Sequence, residues 1–177
     1  MDIETTPTLI ASDAEAVLGR WNTLVVRIWR GPTTAEGLRA YEGEIERLER
    51  AHGRGVAVLA VVEEGAPLPD AAARRGLAEL ITRHVQSIRG YALVCEGSGF
   101  RAAAVRAVAL SIAMIIRPQL PWAVFADTAA AARWLAPRFH VAPSRAPSPL
   151  EIEGAAAELR RLGAAGRPAL SRSGGTL

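Results

Sequence analysis

Acidic residues after two apolar segments are the first groups in this sequence whose types and spacing could do chemistry. Glu63-Glu64 and Glu96 each follow an apolar run that we expect to be a strand. Open α/β sheets form their ligand crevices at the carboxyl ends of strands, where paired carboxylates could transfer protons or bind a cation. We favour the alternative that these are solvated loop acids, because no other catalytic residue type converges on them.

A glycine-rich turn, Gly97-Ser98-Gly99, leads into an apolar helix. Free backbone N–H groups at such a turn can bind an anion, and Arg101 could support a phosphate or a carboxylate. We therefore name Ser98, Gly99 and Arg101 as candidate ligand- or anion-binding residues. The turn lacks the lysine of a phosphate-binding loop and is too short for a dinucleotide motif, so Ser98 as a plain helix cap is the simpler account.

The remaining chemical groups give no enzyme signature. His52, His84 and His140 are far apart, and none has a metal-binding spacing to another ligand type. We expect His84, on the apolar face of a helix, to be a core or interface histidine without a nearby carboxylate. Cys95 is expected to be a buried, inert thiol. We predict a protein that is not an enzyme and has no cofactor or metal.

Trp29 and Arg27 are candidates for recognition. With Val25 they share one face of a strand that we place at the edge of the sheet. An exposed tryptophan–arginine pair is typical of the centres of protein interfaces, although the protein's own helices could cover this face instead. We name Trp29, Arg27 and Asp70, the expected cap of the second helix, as candidate partner-binding residues.

Composition limits the class of protein. All 21 basic residues are arginine, which is typical of a GC-rich bacterial genome, and the net charge is only +3. Without a basic stripe interleaved with aromatic residues, nucleic-acid binding is not indicated. A single cysteine and the lack of a recognisable signal peptide favour a cytoplasmic location. The longest apolar run, residues 107–116, is about half the ~20 residues that span a bilayer.

Apolar runs that alternate between strand and helix periods predict one α/β domain. We interpret residues 1–13 as a flexible lead-in, 14–140 as the domain, and 141–177 as a Pro/Ser/Ala/Arg-rich linker with a weak helix and a disordered end. The element order ββαβαβαβα, with an N-terminal hairpin, predicts a mostly parallel sheet. Deleting residues 141–177 should then leave the domain folded.

The third predicted helix, residues 100–117, is apolar nearly all round. The apolar surface of such a helix is wider than one buried stripe requires. Packing on two sides within the domain is the default interpretation. The alternative is that its outer side contacts a partner or an apolar ligand.

This element order, with its initial hairpin, resembles the STAS-like fold (the sulfate transporter and anti-sigma factor antagonist domain). The segment TLVVRIWRGPTTAEGLRAY is similar to the family's strand, short turn and helix that begins after Gly-Pro. The segment WAVFADTAAAARWL is similar to its closing strand and short alanine-rich helix. The resemblance covers about residues 14–136.

The resemblance implies recognition and regulation rather than catalysis. In anti-sigma antagonists a phosphorylated serine begins the helix after the central strand, but VVEEGAPLPDAAARRG has no serine or threonine there. We therefore expect a non-enzymatic bacterial regulatory or scaffolding module that binds another protein or a second protomer. Other relatives bind small molecules or lipids, so the alternative is a carrier or sensor of a small apolar or anionic ligand beside the third helix.

Overall fold

The sheet is mixed and follows the order of the chain. The computed structural model describes residues 5–53, 55–116, 120–139 and 146–165, without the side chains of 100–102, 109 and 112–116. Within these ranges the strands are β1 (Thr8–Ser12), β2 (Ala16–Trp21), β3 (Leu24–Trp29), β4 (Val56–Val62), β5 (Ile88–Cys95) and β6 (Trp122–Phe125). They lie side by side in that order. The first three are antiparallel, and β3 to β6 are parallel.

Helices cover both faces of this sheet. They are α1 (Ala35–His52), α2 (Ala71–Arg83), α3 (Gly99–Ile116), α4 (Thr128–Leu135) and α5 (Pro149–Ala165), with a 3-10 turn at Ala136–Arg138. Sequential parallel strands joined by right-handed crossovers place their connecting helices on one face, so α1, α2 and α3 lie together. The other face is covered by α4 and α5. Across the described residues, the helices are too short or too polar to traverse a lipid bilayer.

The alternation of side chains along the strands divides the interior into two cores. On β3, Val25 and Trp29 face α1, whereas Val26 and Ile28 face the opposite core. Strand β4 is buried on both faces, as its uninterrupted apolar sequence predicts for a central parallel strand. The predicted α/β class and the largely parallel sheet with an N-terminal hairpin are confirmed.

The N-terminal segment differs from its prediction. Thr8–Ser12 was interpreted as part of a flexible lead-in, but it is the edge strand β1 and pairs antiparallel with β2. Five half-buried or exposed residues with only weak alternation gave little sequence signal. The element order therefore begins with three strands instead of two.

The C-terminal segment also differs from its prediction. The predicted helix is present as α5, but it packs on the sheet through a buried stripe of Ile152, Ala155, Ala156 and Leu159. This spacing of i, i+3, i+4 and i+7 is that of an amphipathic helix. The eight-residue α4 contacts β4 to β6, and α5 contacts β1 to β3, so α5 completes the second core. The predicted disordered end, residues 166–177, lies outside the described residues.

Candidate functional site

An apolar pocket lies between the sheet and helices α2 and α3. It measures about 590 Å³ when its open mouth is included. Trp29, Tyr91 and Trp122 line it from the sheet, and Leu77, Val105 and Val108 line it from the helices. Prolines of the loop between β4 and α2 also border it. None of its described lining residues carries a charge, so the pocket suits an apolar occupant.

The pocket is bounded by two ordered aromatic pairs. Tyr91 and Trp122 stack with ring centroids 4.2 Å apart and planes inclined by 6°. Trp29 meets Tyr41 edge to face, with centroids 5.8 Å apart. The Tyr41 hydroxyl donates to the Tyr91 hydroxyl over 3.3 Å, which joins the two pairs behind the pocket. Such contacts fix the planes of the rings that line the pocket.

Two polar groups on these rings have no partner in the described part of the chain. The Nε1–H groups of Trp29 and Trp122 are both buried, and neither has a hydrogen-bond acceptor among the described residues. Most buried donors in native proteins are paired, because an unpaired one costs about 1–3 kcal/mol. Both Nε1 atoms are inaccessible to solvent, so neither donor faces the open pocket, and the rings contribute apolar surface to it.

The buried phenols give a pH-dependent prediction. Burial raises the pKa of Tyr91 to about 12 and the pKa of Tyr41 well above its ordinary value, and these are the chain's two tyrosines. Above pH ~10 the unfolded chain loses phenolic protons that the folded chain keeps, so stability should fall by about 1.4 kcal/mol per pH unit for each phenol. Absorbance at 295 nm should stay flat to about pH 11 in the folded protein and rise near pH 10 in urea. A step near pH 10 without unfolding would contradict this burial.

The acidic residues at the ends of β4 and β5 are paired with an arginine from α5. Arg160 Nη2 donates to Glu96 Oε1 over 2.7 Å, and its Nε lies 3.5 Å from Glu63 Oε1. The predicted proximity of these carboxylates is confirmed, because β4 and β5 are parallel neighbours. Arg160 was missed because its segment was assigned to an extension outside the domain. Arg160 therefore links α5 to the carboxyl ends of β4 and β5 through these two carboxylates.

Two of the three predicted partner-binding residues, Trp29 and Arg27, are buried, whereas Asp70 is exposed. Trp29 is 6% exposed and Arg27 is 3% exposed. Strand β3 lies between β2 and β4 and is not an edge strand, so α1 and α2 cover the face that carries both residues. Trp29 instead lines the pocket, and Arg27 pairs with buried Glu15. Asp70 caps α2 as predicted, accepting from the Ala73 amide over 2.8 Å.

The predicted anion-binding turn is exposed at the start of α3. Gly97 and Gly99 have φ angles of 91° and 75°, in the left-handed region that favours glycine. Ser98 is exposed. The Arg101 side chain lies outside the described part of the structure, so anion binding here stays a prediction.

His84 has carboxylate neighbours that the sequence did not reveal. Its Nδ1 lies 2.8 Å from Glu49 Oε1, and its Nε2 lies 3.3 Å from Glu42 Oε1. Ligand atoms of Glu42, Glu46 and His84 lie within 4.8 Å of one another, a spacing that a metal ion could bridge. However, Arg83 already pairs with Glu42 at 2.7 Å. These contacts explain the cluster as a polar link between α1 and the end of α2.

Cys95 is buried, as predicted. Burial raises the pKa of its thiol to about 11, and nearby Arg106 opposes that change. Because the thiolate is the reactive form, the thiol is protonated and unreactive at neutral pH.

Comparison of the chain with protein-family models found no matching family, and comparison with curated proteins found no match. The functional argument therefore rests on the geometry of the chain itself. Of the features described, the apolar pocket is the one suited to holding a small apolar molecule.

Proposed function

We propose that this protein is a non-enzymatic carrier or sensor of a small apolar ligand, which it holds in the pocket between the sheet and helices α2 and α3. The observation that carries the proposal is the uncharged lining of that pocket, which includes Val105 and Val108 of α3. Ligand pockets commonly measure ~300–1,000 Å³ and are mostly apolar with a few placed polar groups. The pocket agrees with that description in its apolar, uncharged lining.

The burial of the expected docking residues favours this function over a protein-docking module. The docking hypothesis offered two surfaces, the Trp29–Arg27 pair or the crevice loops at residues 63–70 and 97–101, and both side chains of the pair are buried. Docking through the crevice loops stays a prediction. Trp29 contributes to the pocket instead. The STAS-like resemblance agrees with the proposal, since it implies a fold whose relatives include binders of small molecules or lipids. Family membership itself stays a proposal that depends on element order.

In a sensor, the loop between β4 and α2 would transmit ligand binding from the pocket to the protein surface. Pro67 and Pro69 border the pocket, while Leu68 between them is 46% exposed. A ligand that contacts the two prolines would change the surface that Leu68 presents. A partner protein would recognise this change at the loop surface and would not need to contact buried Trp29 and Arg27.

A pocket-filling substitution tests the proposal. N-phenyl-1-naphthylamine, an uncharged probe whose fluorescence rises in apolar surroundings, should bind the wild-type protein saturably. Val108→Trp should abolish this binding, because the larger ring would occupy the pocket next to α3. At 100 times its dissociation constant the probe should also stabilise the wild-type protein by about 2.7 kcal/mol, measured by thermal unfolding.

Leu110→Trp is the matched control, since Leu110 lies on the same helix but is 43% exposed. It introduces the same side chain and should bind the probe as the wild type does. Absence of saturable binding to the wild type would overturn the proposed function, and so would unchanged binding to a folded Val108→Trp variant.

A further inference from the structure

We propose that Glu42, Glu46 and His84 form a binding site for a divalent transition-metal ion such as Zn²⁺, with Glu49 orienting the histidine ring. The site lies where α1 meets the end of α2, and none of these four residues is part of the described lining of the apolar pocket. The inference is therefore independent of the proposed function. It departs from the expectation, drawn from the sequence, that the chain binds no metal.

The His84 ring is held in one orientation by a carboxylate. The residue is 8% exposed, and its Nδ1 lies 2.8 Å from Glu49 Oε1, a normal hydrogen-bond length. We assign the proton of the neutral ring to Nδ1, because this is the shorter of the two contacts that the ring makes with carboxylates. The lone pair of Nε2 then faces Glu42 Oε1, which is also an acceptor. Metal-binding histidines typically have this arrangement, in which the nitrogen that does not bind the metal donates to a carboxylate.

The distance between His84 and Glu42 agrees with two ligands of one ion. Nε2 of His84 lies 3.3 Å from Glu42 Oε1. A hydrogen bond between an imidazolium and a carboxylate is shorter, at about 2.7–2.9 Å. Two ligand atoms that each lie about 2.0–2.1 Å from a tetrahedral zinc ion are about 3.3 Å apart. The spacing therefore favours a metal ion over a proton between these two atoms.

Glu46 supplies a third ligand, which a proton shared between His84 and Glu42 would not need. Ligand atoms of Glu42, Glu46 and His84 all lie within 4.8 Å of one another. Glu42 and Glu46 are about one turn apart on α1, so they share a face of that helix. Glu46 is exposed, and among the described residues no hydrogen bond or ion pair engages its carboxylate. It is free to turn toward a bound ion, and three protein ligands leave the fourth position of a tetrahedral ion to water.

One divalent cation balances the charges around His84. Three carboxylates, those of Glu42, Glu46 and Glu49, surround the ring. The cation that pairs with them in the described structure is Arg83, whose Nη1 lies 2.7 Å from Glu42 Oε1. With a neutral ring the group carries two negative charges, which one Zn²⁺ ion neutralises.

The pair between Arg83 and Glu42 is compatible with the metal. The Arg83 side chain is 59% exposed, and a carboxylate that binds a metal commonly accepts a hydrogen bond as well. The imidazole ligand of His84 favours Zn²⁺ and similar transition-metal ions over Mg²⁺ and Ca²⁺, which prefer sites made only of oxygen atoms.

Calorimetric titration of the tag-free, chelator-treated full chain with Zn²⁺ tests the site. One ion should bind per chain, and excess Mg²⁺ should not displace it. Glu46→Gln should weaken Zn²⁺ binding by more than about tenfold, because it removes a ligand. It should leave the melting temperature of the metal-free protein unchanged, since no described contact depends on this carboxylate. Glu36→Gln is the matched control: Glu36 is an exposed carboxylate on the same helix outside the cluster, and this variant should bind Zn²⁺ as the wild type does.

The histidine ring provides a second measurement. In long-range ¹H–¹⁵N spectra, Zn²⁺ should shift the Nε2 signal of His84 while Nδ1 keeps its proton. Glu49→Ala should lower the affinity for Zn²⁺ about 10–100-fold and allow both ring tautomers in the metal-free protein. Absence of a saturable site, displacement of Zn²⁺ by Mg²⁺, or equal affinities of Glu46→Gln and Glu36→Gln would overturn the inference. So would a His84 Nε2 that stays protonated at saturating Zn²⁺, because a proton would then occupy the place assigned to the metal.

Discussion

Replacement of Leu159 by alanine should lower the free energy of unfolding by about 2–5 kcal/mol, the range for removing a large buried aliphatic side chain. Leu159 is fully buried in the core between α5 and the sheet. Its methyl groups occupy the space above Gly19 of β2, where a Cβ atom would collide with them. Urea unfolding followed by circular dichroism measures the change.

Leu150→Ala is the matched control on the same helix, because Leu150 is 79% exposed. It should change the unfolding free energy by less than about 0.5 kcal/mol. Equal effects of the two substitutions would mean that α5 does not pack on the sheet in solution. Residues 141–177 would then be a separable extension, as the sequence alone had predicted.

The packing of α5 reverses the expected result of truncation. A chain that ends at residue 140 would lose the helix that covers β1 to β3 on this face. It would also lose the bond from Ser12 Oγ to the Gly163 carbonyl, 2.9 Å long, which ties β1 to the end of α5. We now expect truncation to give an unfolded or aggregated product, since the exposed strands would present a contiguous apolar face.

The central elements were predictable because their sequence patterns are local. The valine-rich run of β4 is too short for a lone helix and has no polar face, so it indicates a buried strand. The stripe that includes Tyr41, Ile45 and Leu48 has helical spacing and is buried in α1. Helix α5 has the same kind of stripe, but alanine occupies two of its four positions. Because proline and serine residues precede it, the sequence predicts a linker there and places the weak helix outside the domain.

The candidate site was harder to predict because it depends on contacts between distant segments. The alternation along β3 correctly placed Arg27 and Trp29 on one face, yet exposure of that face depends on where α1 and α2 pack. The pocket combines residues from four strands, two helices and two loops. No spacing in the sequence marks such a set. In the sequence, only the apolar residues on nearly all sides of the third helix indicated an apolar ligand beside it.

The second prediction with a large expected effect concerns the buried ion pair beneath the pocket. Glu15 Oε1 accepts from Arg27 Nη2 over 2.9 Å and from the Thr34 amide over 3.1 Å. Its Oε2 accepts from the Thr34 hydroxyl, which also caps α1 by accepting from the Gly37 amide. Burial lowers the pKa of Arg27, and the proximity of Glu15 opposes that change. One carboxylate therefore neutralises a buried cation and orders the start of α1.

Glu15→Ala should lower the free energy of unfolding by about 3–5 kcal/mol, because it leaves the Arg27 guanidinium buried without a counter-ion. Urea unfolding measures the change, and Glu158→Ala is the control. Glu158 forms a two-bond pair with Arg161 on the surface of α5, and its loss should leave stability nearly unchanged. The double variant Glu15→Leu/Arg27→Met should be more stable than Glu15→Ala, since an apolar pair removes the uncompensated charge. If Glu15→Ala costs no more than Glu158→Ala, the Arg27 guanidinium is hydrated in solution and the pair with Glu15 is not buried as the structure has it.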